Sequence, residues 1–186
     1  MSRDKHYAAS KFLSLILRHQ PELIKLKLDN HGWANILDIV SKINDSAVMT
    51  EAIIQTVVGS NDKQRFQLNE DKTKIRAVQG HSVKVDLELK PIIPPKSLYH
   101  GTTERFIKII EEMGLIKGKR NHVHLSEAIK TAISVGSRHG YYYIVLKIDT
   151  EAMYKDGYKF YRSLNGVWLT DHVPTRYFTI VAKKIK

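Results

Sequence analysis

Apolar residues near the start of the chain recur with the period of one helix face. Ala9, Phe12, Leu13, Ile16 and Leu17 follow the i, i+3, i+4, i+7, i+8 spacing, which predicts an amphipathic helix. Pro21 ends it, because the residue before a proline is pushed out of the α region. A second helix carries Ile36, Ile39, Val40 and Ile43 on one face. A third, opened by Thr50 as N-cap, carries Ile53, Ile54, Val57 and Val58. The period then drops to two. After Asn61-Asp62, the run KQRFQL sets Phe66 and Leu68 on one side and Arg65 and Gln67 on the other. A turn-rich stretch from Asn69 to Lys74 leads into a return strand from Ile75 to Val78. Small helices followed by a β-hairpin is the element order of a winged helix, a helix-turn-helix variant.

The segment SVKVDLELK alternates strictly, with Val83, Val85, Leu87 and Leu89 on one face. PIIPPK follows, and Pro91, Pro94 and Pro95 make it stiff and extended. The domain boundary is placed there, giving an N-terminal lobe over residues 1–90, a linker over 91–96 and a C-terminal lobe over 97–186. In the latter, a short strand ending in LYHG precedes a helix with Phe106, Ile109, Ile110 and Met113 on one face, stopped by Gly114. NHVHLS reads as a strand running into Ser126, an N-cap for a helix with Ala128, Thr131, Ala132 and Val135 inward. YYYIVLKID, YKFYRSLNGVWLT and RYFTIVAKK are strand-like, and Asn165-Gly166 is a hairpin signal. The expected class is α+β with a mainly antiparallel sheet.

Charge adds a partner class. Thirty Lys and Arg against nineteen Asp and Glu leave a formal charge of +11, which draws polyanions, nucleic acid being the commonest. There is no cysteine, so disulfides and thiolate metal sites are excluded, and a reducing cytoplasm is the expected compartment. No apolar run approaches the roughly 20 residues that span a bilayer, so no membrane role is expected.

Four constellations could carry chemistry. Arg18-His19 closes the first helix, where a cation also suits the helix dipole, and Arg65 has an ordinary reading as a solvated strand residue. Together, however, an Arg–His–Arg set suits a phosphate monoester: guanidinium binds it bidentately and imidazole moves a proton near neutral pH. His122-x-His124 invites a metal reading but lacks a third ligand at a standard spacing. His100-Gly101-Thr102 is either a tight strand-to-helix turn or a place where backbone approaches a ligand. Gly136 to Gly140 reads as a helix terminus with Arg138 beside the last carbonyls, or as an anion contact. No GxGxxG, P-loop, GxSxG elbow or paired-carboxylate arrangement is found.

Taken in order, LILRHQPELIKLKLDNHGWANILDIV, KQRFQL, LYHGTT, NHVHLS, SVGSRHG and NGVWLT resemble the NAD-dependent RNA 2′-phosphotransferase family, from about Lys11 to Ile180. The resemblance implies an N-terminal winged-helix RNA lobe and a C-terminal lobe of the ADP-ribosyltransferase fold. Arg18, His19, Arg65 and Arg138 match the family's basic catalytic residues. His100, Gly101, Thr102, His124, Leu125 and Ser126 match its NAD-binding motifs. Val167 matches the position where protein-modifying ADP-ribosyltransferases carry a glutamate.

The activity so implied removes an internal 2′-phosphate from RNA in two steps, as in tRNA splicing. The 2′-phosphate, largely dianionic at pH 7, displaces nicotinamide from C1″ of NAD. Ribose O2″ then attacks the phosphorus and expels the RNA 2′-hydroxyl, giving ADP-ribose 1″,2″-cyclic phosphate. NAD is a co-substrate, no metal is required, and a monomer is expected. A winged-helix DNA-binding regulator is the first rival, but Thr50 to Ser60 contains no basic residue for groove readout. A protein- or DNA-directed ADP-ribosyltransferase is the second, and the absence of an acid at Val167 counts against its protein-directed form.

Overall fold

A computed structural model describes residues 3–43, 49–60, 63–140 and 142–185. Asn61 and Asp62, which precede one expected strand, and Tyr141, which begins another, lie outside them. The chain forms two compact units, residues 1–88 and 89–186, and the architecture is mixed, with small antiparallel sheets.

The first unit holds α1 (Arg3–Arg18), a 3-10 turn (Pro21–Ile24), β1 (Ala34–Asn35), α2 (Ile36–Lys42), α3 (Glu51–Gly59), β2 (Phe66–Leu68) and β3 (Lys74–Ala77). Its helices obey the apolar spacing. Ala9, Leu13, Ile16, Leu17, Ile36, Ile39, Ile53, Ile54 and Val57 are buried in one core, with Phe12, Val40, Ile43 and Val58 packed on it. Thr50 caps α3, its hydroxyl accepting from Ile53 N at 3.2 Å. The pattern did not disclose β1, only two residues long. It pairs with β3, so the hairpin becomes a three-stranded sheet of order β1-β3-β2. Val83 to Leu89 alternates in burial but forms no ladder. Its backbone donors go to scattered acceptors, Val83 N to the Arg18 carbonyl and Asp86 N to that of Asn30.

The second unit contains β4 (Ser97–Thr102), α4 (Glu104–Met113), β5 (Leu115–Ile116), β6 (Val123–Leu125), α5 (Ile129–Gly136), a 3-10 turn (Ser137–His139), β7 (Tyr143–Asp149), α6 (Thr150–Lys155), β8 (Tyr161–Arg162), β9 (Trp168–Thr170), β10 (His172–Val173) and β11 (Phe178–Lys184). Its sheets have the orders β11-β7-β4, β6-β9-β8 and β10-β5, all antiparallel. A separate core includes Leu98, Leu125, Leu146, Ile148, Met153, Phe160 and Trp168. The proline-rich stretch is bound into this unit, Ile92 N donating to the Phe160 carbonyl and Thr150 Oγ1 to that of Pro95.

Two local expectations are corrected. Ser126 does not cap α5: its N–H and C=O both pair with Tyr99 (2.9 and 2.8 Å), prolonging the strand. The helix begins at Ile129 with Ala128 as its N-cap, and of the residues expected inward, Ala128 and Thr131 are exposed. Gly101 lies inside β4 and not in a strand-to-helix turn. By contrast, Gly114 ends α4 with φ 78°, and Gly166 turns between β8 and β9 with φ 79°.

Candidate active site

In the first unit, chemistry gathers where α1 ends. The Arg18 carbonyl accepts from Ser82 N at 2.8 Å and Val83 N at 3.2 Å, tying the segment after β3 to the helix terminus. The Arg18 guanidinium donates through Nη2 to the Arg65 carbonyl at 3.3 Å and lies 6.0 Å from the centre of the Phe66 ring. Gln64, at φ 41°, swings the chain into β2 just before Arg65. His19 follows directly, its Nδ1 2.9 Å from Ser82 Oγ.

Beneath this edge sits His81, only 2% exposed. Burial, reinforced by the charges of Arg18, His19 and Arg76, pushes its pKa down to about 4, so it is neutral at physiological pH. Arg76 on β3 stacks on Trp33 at 4.4 Å and donates to Gln67 Oε1 at 3.1 Å. The Arg18 guanidinium therefore meets the backbone of Arg65 across the fold, and His19 beside it meets Ser82. His81, Ser82 and Arg76 join them, and no spacing in the sequence marks those three. The only signal was a Gly-His-Ser tripeptide following a predicted strand.

The second unit has a cavity of about 340 Å³, a size that suits a small ligand. One wall is apolar, from Phe106, Ile109 and Ile110; the other is polar, from His100, Thr102, Arg120, His122 and His124. The face of α4 thus serves both cavity and core: Phe106 and Ile109 line the cavity and are roughly half exposed, while Ile110 is buried. His100 Nδ1 lies 2.9 Å from the His124 carbonyl. A carbonyl can only accept, so Nδ1 carries the proton and Nε2 of the neutral ring is the acceptor. Burial lowers the His100 pKa, the His124 carbonyl opposes this, and Arg120 adds to the lowering. Arg120 is itself lowered, by burial and then by the charge of Arg138, which stands in the turn after α5. Two neighbouring guanidiniums of this kind attract an anion.

The other residues expected at this site serve the fold. Leu125 is buried in the core. Gly101 supports a close approach, but of helix to strand: a Cβ there would stand 1.8 Å from the Ala132 carbonyl oxygen of α5. In the β8–β9 turn the Val167 carbonyl accepts from Ser163 N, and Val167 N donates to the Ser163 hydroxyl. At the start of α4 the dipole meets Glu104, the chain's own carboxylate. Among the described residues there is no group of three or more His, Asp or Glu that could hold a metal ion. Nor is any helix among them long and apolar enough to cross a membrane.

Comparison with known proteins supplies the class. A family model described as "RNA 2'-phosphotransferase, Tpt1 / KptA family" matches residues 4–172. A protein of Fusobacterium nucleatum named "Probable RNA 2'-phosphotransferase" is 52% identical over 175 residues, 94% of this chain and 98% of its own. Proteins of the same name from Acaryochloris marina and Agrobacterium fabrum are 54% and 51% identical, over 94% of this chain and 96% and 94% of theirs. The class is that of a phosphotransferase enzyme. The chain belongs to the RNA 2′-phosphotransferase family.

Proposed function

We propose that this protein removes an internal 2′-phosphate from RNA by passing it to NAD in two steps. The first unit acts as a winged-helix RNA-binding lobe and the second as an ADP-ribosyltransferase-like NAD lobe. The observation that carries the reading is the convergence of Arg18, His19 and the Arg65 segment at one edge of a strongly basic chain. A phosphate monoester is well held by permanently charged donors beside a group that can pass a proton.

The cavity of the second unit suits NAD. Phe106 and Ile109 offer apolar surface to a planar ring, and Arg120 offers charge to a pyrophosphate. His100, Thr102 and His124 would hold the ribose region, with Gly101, Leu125, Ser126 and Val167 shaping the strands around it. When bound, NAD supplies an electrophilic C1″ with nicotinamide as leaving group. Arg18 and Arg65 would hold the phosphoryl oxygens, first as the 2′-phosphate attacks that carbon and then as ribose O2″ attacks the phosphorus, and Arg138 would be a further catalytic cation. His19 returns a proton to the departing O2′, balancing the one shed by O2″. Phosphoryl transfer of this kind depends on positioning and charge stabilisation, and three arginines supply the positive charge without a metal.

The test is incubation with NAD and an oligoribonucleotide bearing one internal 2′-phosphate, in EDTA. RNA with a 2′-hydroxyl, nicotinamide and ADP-ribose 1″,2″-cyclic phosphate are expected. Phosphate removal without NAD, or free inorganic phosphate as the direct product, would falsify the reading.

A further inference from the structure

The His19 ring meets the Ser82 hydroxyl. We propose that Ser82 is a positioning residue for His19: it accepts the Nδ1–H, so that Nε2 is the ring nitrogen that exchanges a proton with the substrate. The inference rests on the phosphotransfer reading above and assigns a role to a residue that neither spacing nor resemblance had marked.

The geometry is a short closed circuit. Ser82 Oγ stands 2.9 Å from His19 Nδ1 and 3.4 Å from the Arg18 carbonyl, to which it donates. A hydroxyl has one proton and two lone pairs. With the proton directed at the carbonyl, a lone pair faces Nδ1, and in the arrangement proposed Nδ1 is the donor. The hydroxyl is itself held in place. Ser82 N and Val83 N both donate to the same Arg18 carbonyl, and the preceding side chain, His81, is packed away from solvent. Because His19 is the next residue after Arg18, one carbonyl fixes the backbone, the hydroxyl and, through it, the ring.

This circuit serves both protonation states. The imidazolium carries N–H on both nitrogens; Ser82 accepts one and the departing RNA O2′ takes the other, from Nε2. What remains is the neutral ring with its proton on Nδ1, the form Ser82 already accepts. Proton delivery then needs neither a ring flip nor an exchange of tautomers. Without the hydroxyl, the neutral ring can carry its proton on Nε2, where it cannot accept one for the next turnover.

The tautomer can be read directly in the substrate-free protein by long-range ¹H–¹⁵N correlation spectra, taken where the ring is neutral. The His19 signals are assigned by their loss in His19→Gln. The expected result is an Nδ1–H ring in the wild type and in Ser82→Thr, which keeps a hydroxyl, and a shift towards Nε2–H in Ser82→Ala. In turnover, Ser82→Ala should lower kcat about ten-fold, part of what general acid–base catalysis contributes. KM for RNA and for NAD should stay within about two-fold, and Ser82→Thr should restore kcat. Ser82 is exposed, so these variants leave the core intact. An Nε2–H ring in the wild type, a tautomer indifferent to Ser82→Ala, or a rise in KM with kcat unchanged would each overturn the proposal. A wild-type protein with no phosphotransfer would overturn the functional reading instead, and the spectra would still decide how Ser82 holds the ring.

Discussion

At the scale of single residues, donors that would touch the phosphoryl group should separate the two chemical steps of the proposed reaction. The second step builds charge on the phosphoryl oxygens, and losing one such donor costs on the order of 10²–10³ in rate. Arg65→Ala and Arg138→Ala are therefore expected to slow the second step more than the first. RNA joined to ADP-ribose through its 2′-phosphate should accumulate as a slower band on a denaturing gel. Unreacted substrate with no adduct at any time would mean that these arginines act in binding. His81 gives a different prediction, about pH. Its folded pKa of about 4 lies below the ordinary 6.5, so between those values the unfolded chain takes up a proton that the folded chain refuses. Stability is then full above pH 6.5, falls as pH drops towards 4, and stops falling below it, a loss on the order of 3 kcal/mol. His100 is shifted in the same direction. Urea midpoints at pH 7 and pH 4.5 should diverge more for the wild type than for His81→Gln; equal falls would place the acid lability elsewhere. The sequence exposed Arg18-His19 because the two are adjacent at a helix end. It could not expose Ser82, whose bond to His19 crosses 63 positions and depends on how β3 leaves its sheet.

At the scale of elements, periodicity succeeded where a face meets a core and failed where backbone pairing decides. α1, α2 and α3 bury the residues their spacing selects. Alternation alone did not make a strand of Val83 to Leu89, because a strand needs a partner whose donors and acceptors come in register. Ser126 has the right side chain for a cap, yet both its backbone groups were already committed to Tyr99. The apolar face of α4 was legible, but that it would line a cavity was not, since periodicity cannot say what lies opposite. The crossing of α5 over β4 yields a sharp prediction. Gly101→Ala would put a methyl 1.8 Å from backbone that no rotamer change can move, so a loss of about 3 kcal/mol or more is expected. Gly59→Ala, at the end of α3 with nothing within 4 Å, should change stability by less than about 1 kcal/mol. Chemical denaturation of the two variants side by side checks this; a tolerated Gly101→Ala would show that the crossing can open.

At the scale of the whole molecule, the charge of +11 makes ionic strength a diagnostic. RNA affinity should fall as salt rises, with a log–log slope of about −0.7 for each single-strand phosphate neutralised. An affinity indifferent to salt would show that the basic surface is not where RNA binds. The division at Glu88 and Leu89 bears on something else, the order in which the chain matures on the ribosome. Every strand of the first sheet lies within residues 34–77, so that unit has all its partners once its own 88 residues have emerged. The second unit cannot do the same. β7 is flanked by β4 on one side and β11 on the other, and β11 is translated last of all these strands. During synthesis the half that would grip RNA is thus complete while the half that would bind the nucleotide still waits for its outermost strand, and premature termination would release a folded N-terminal unit attached to an unfinished sheet.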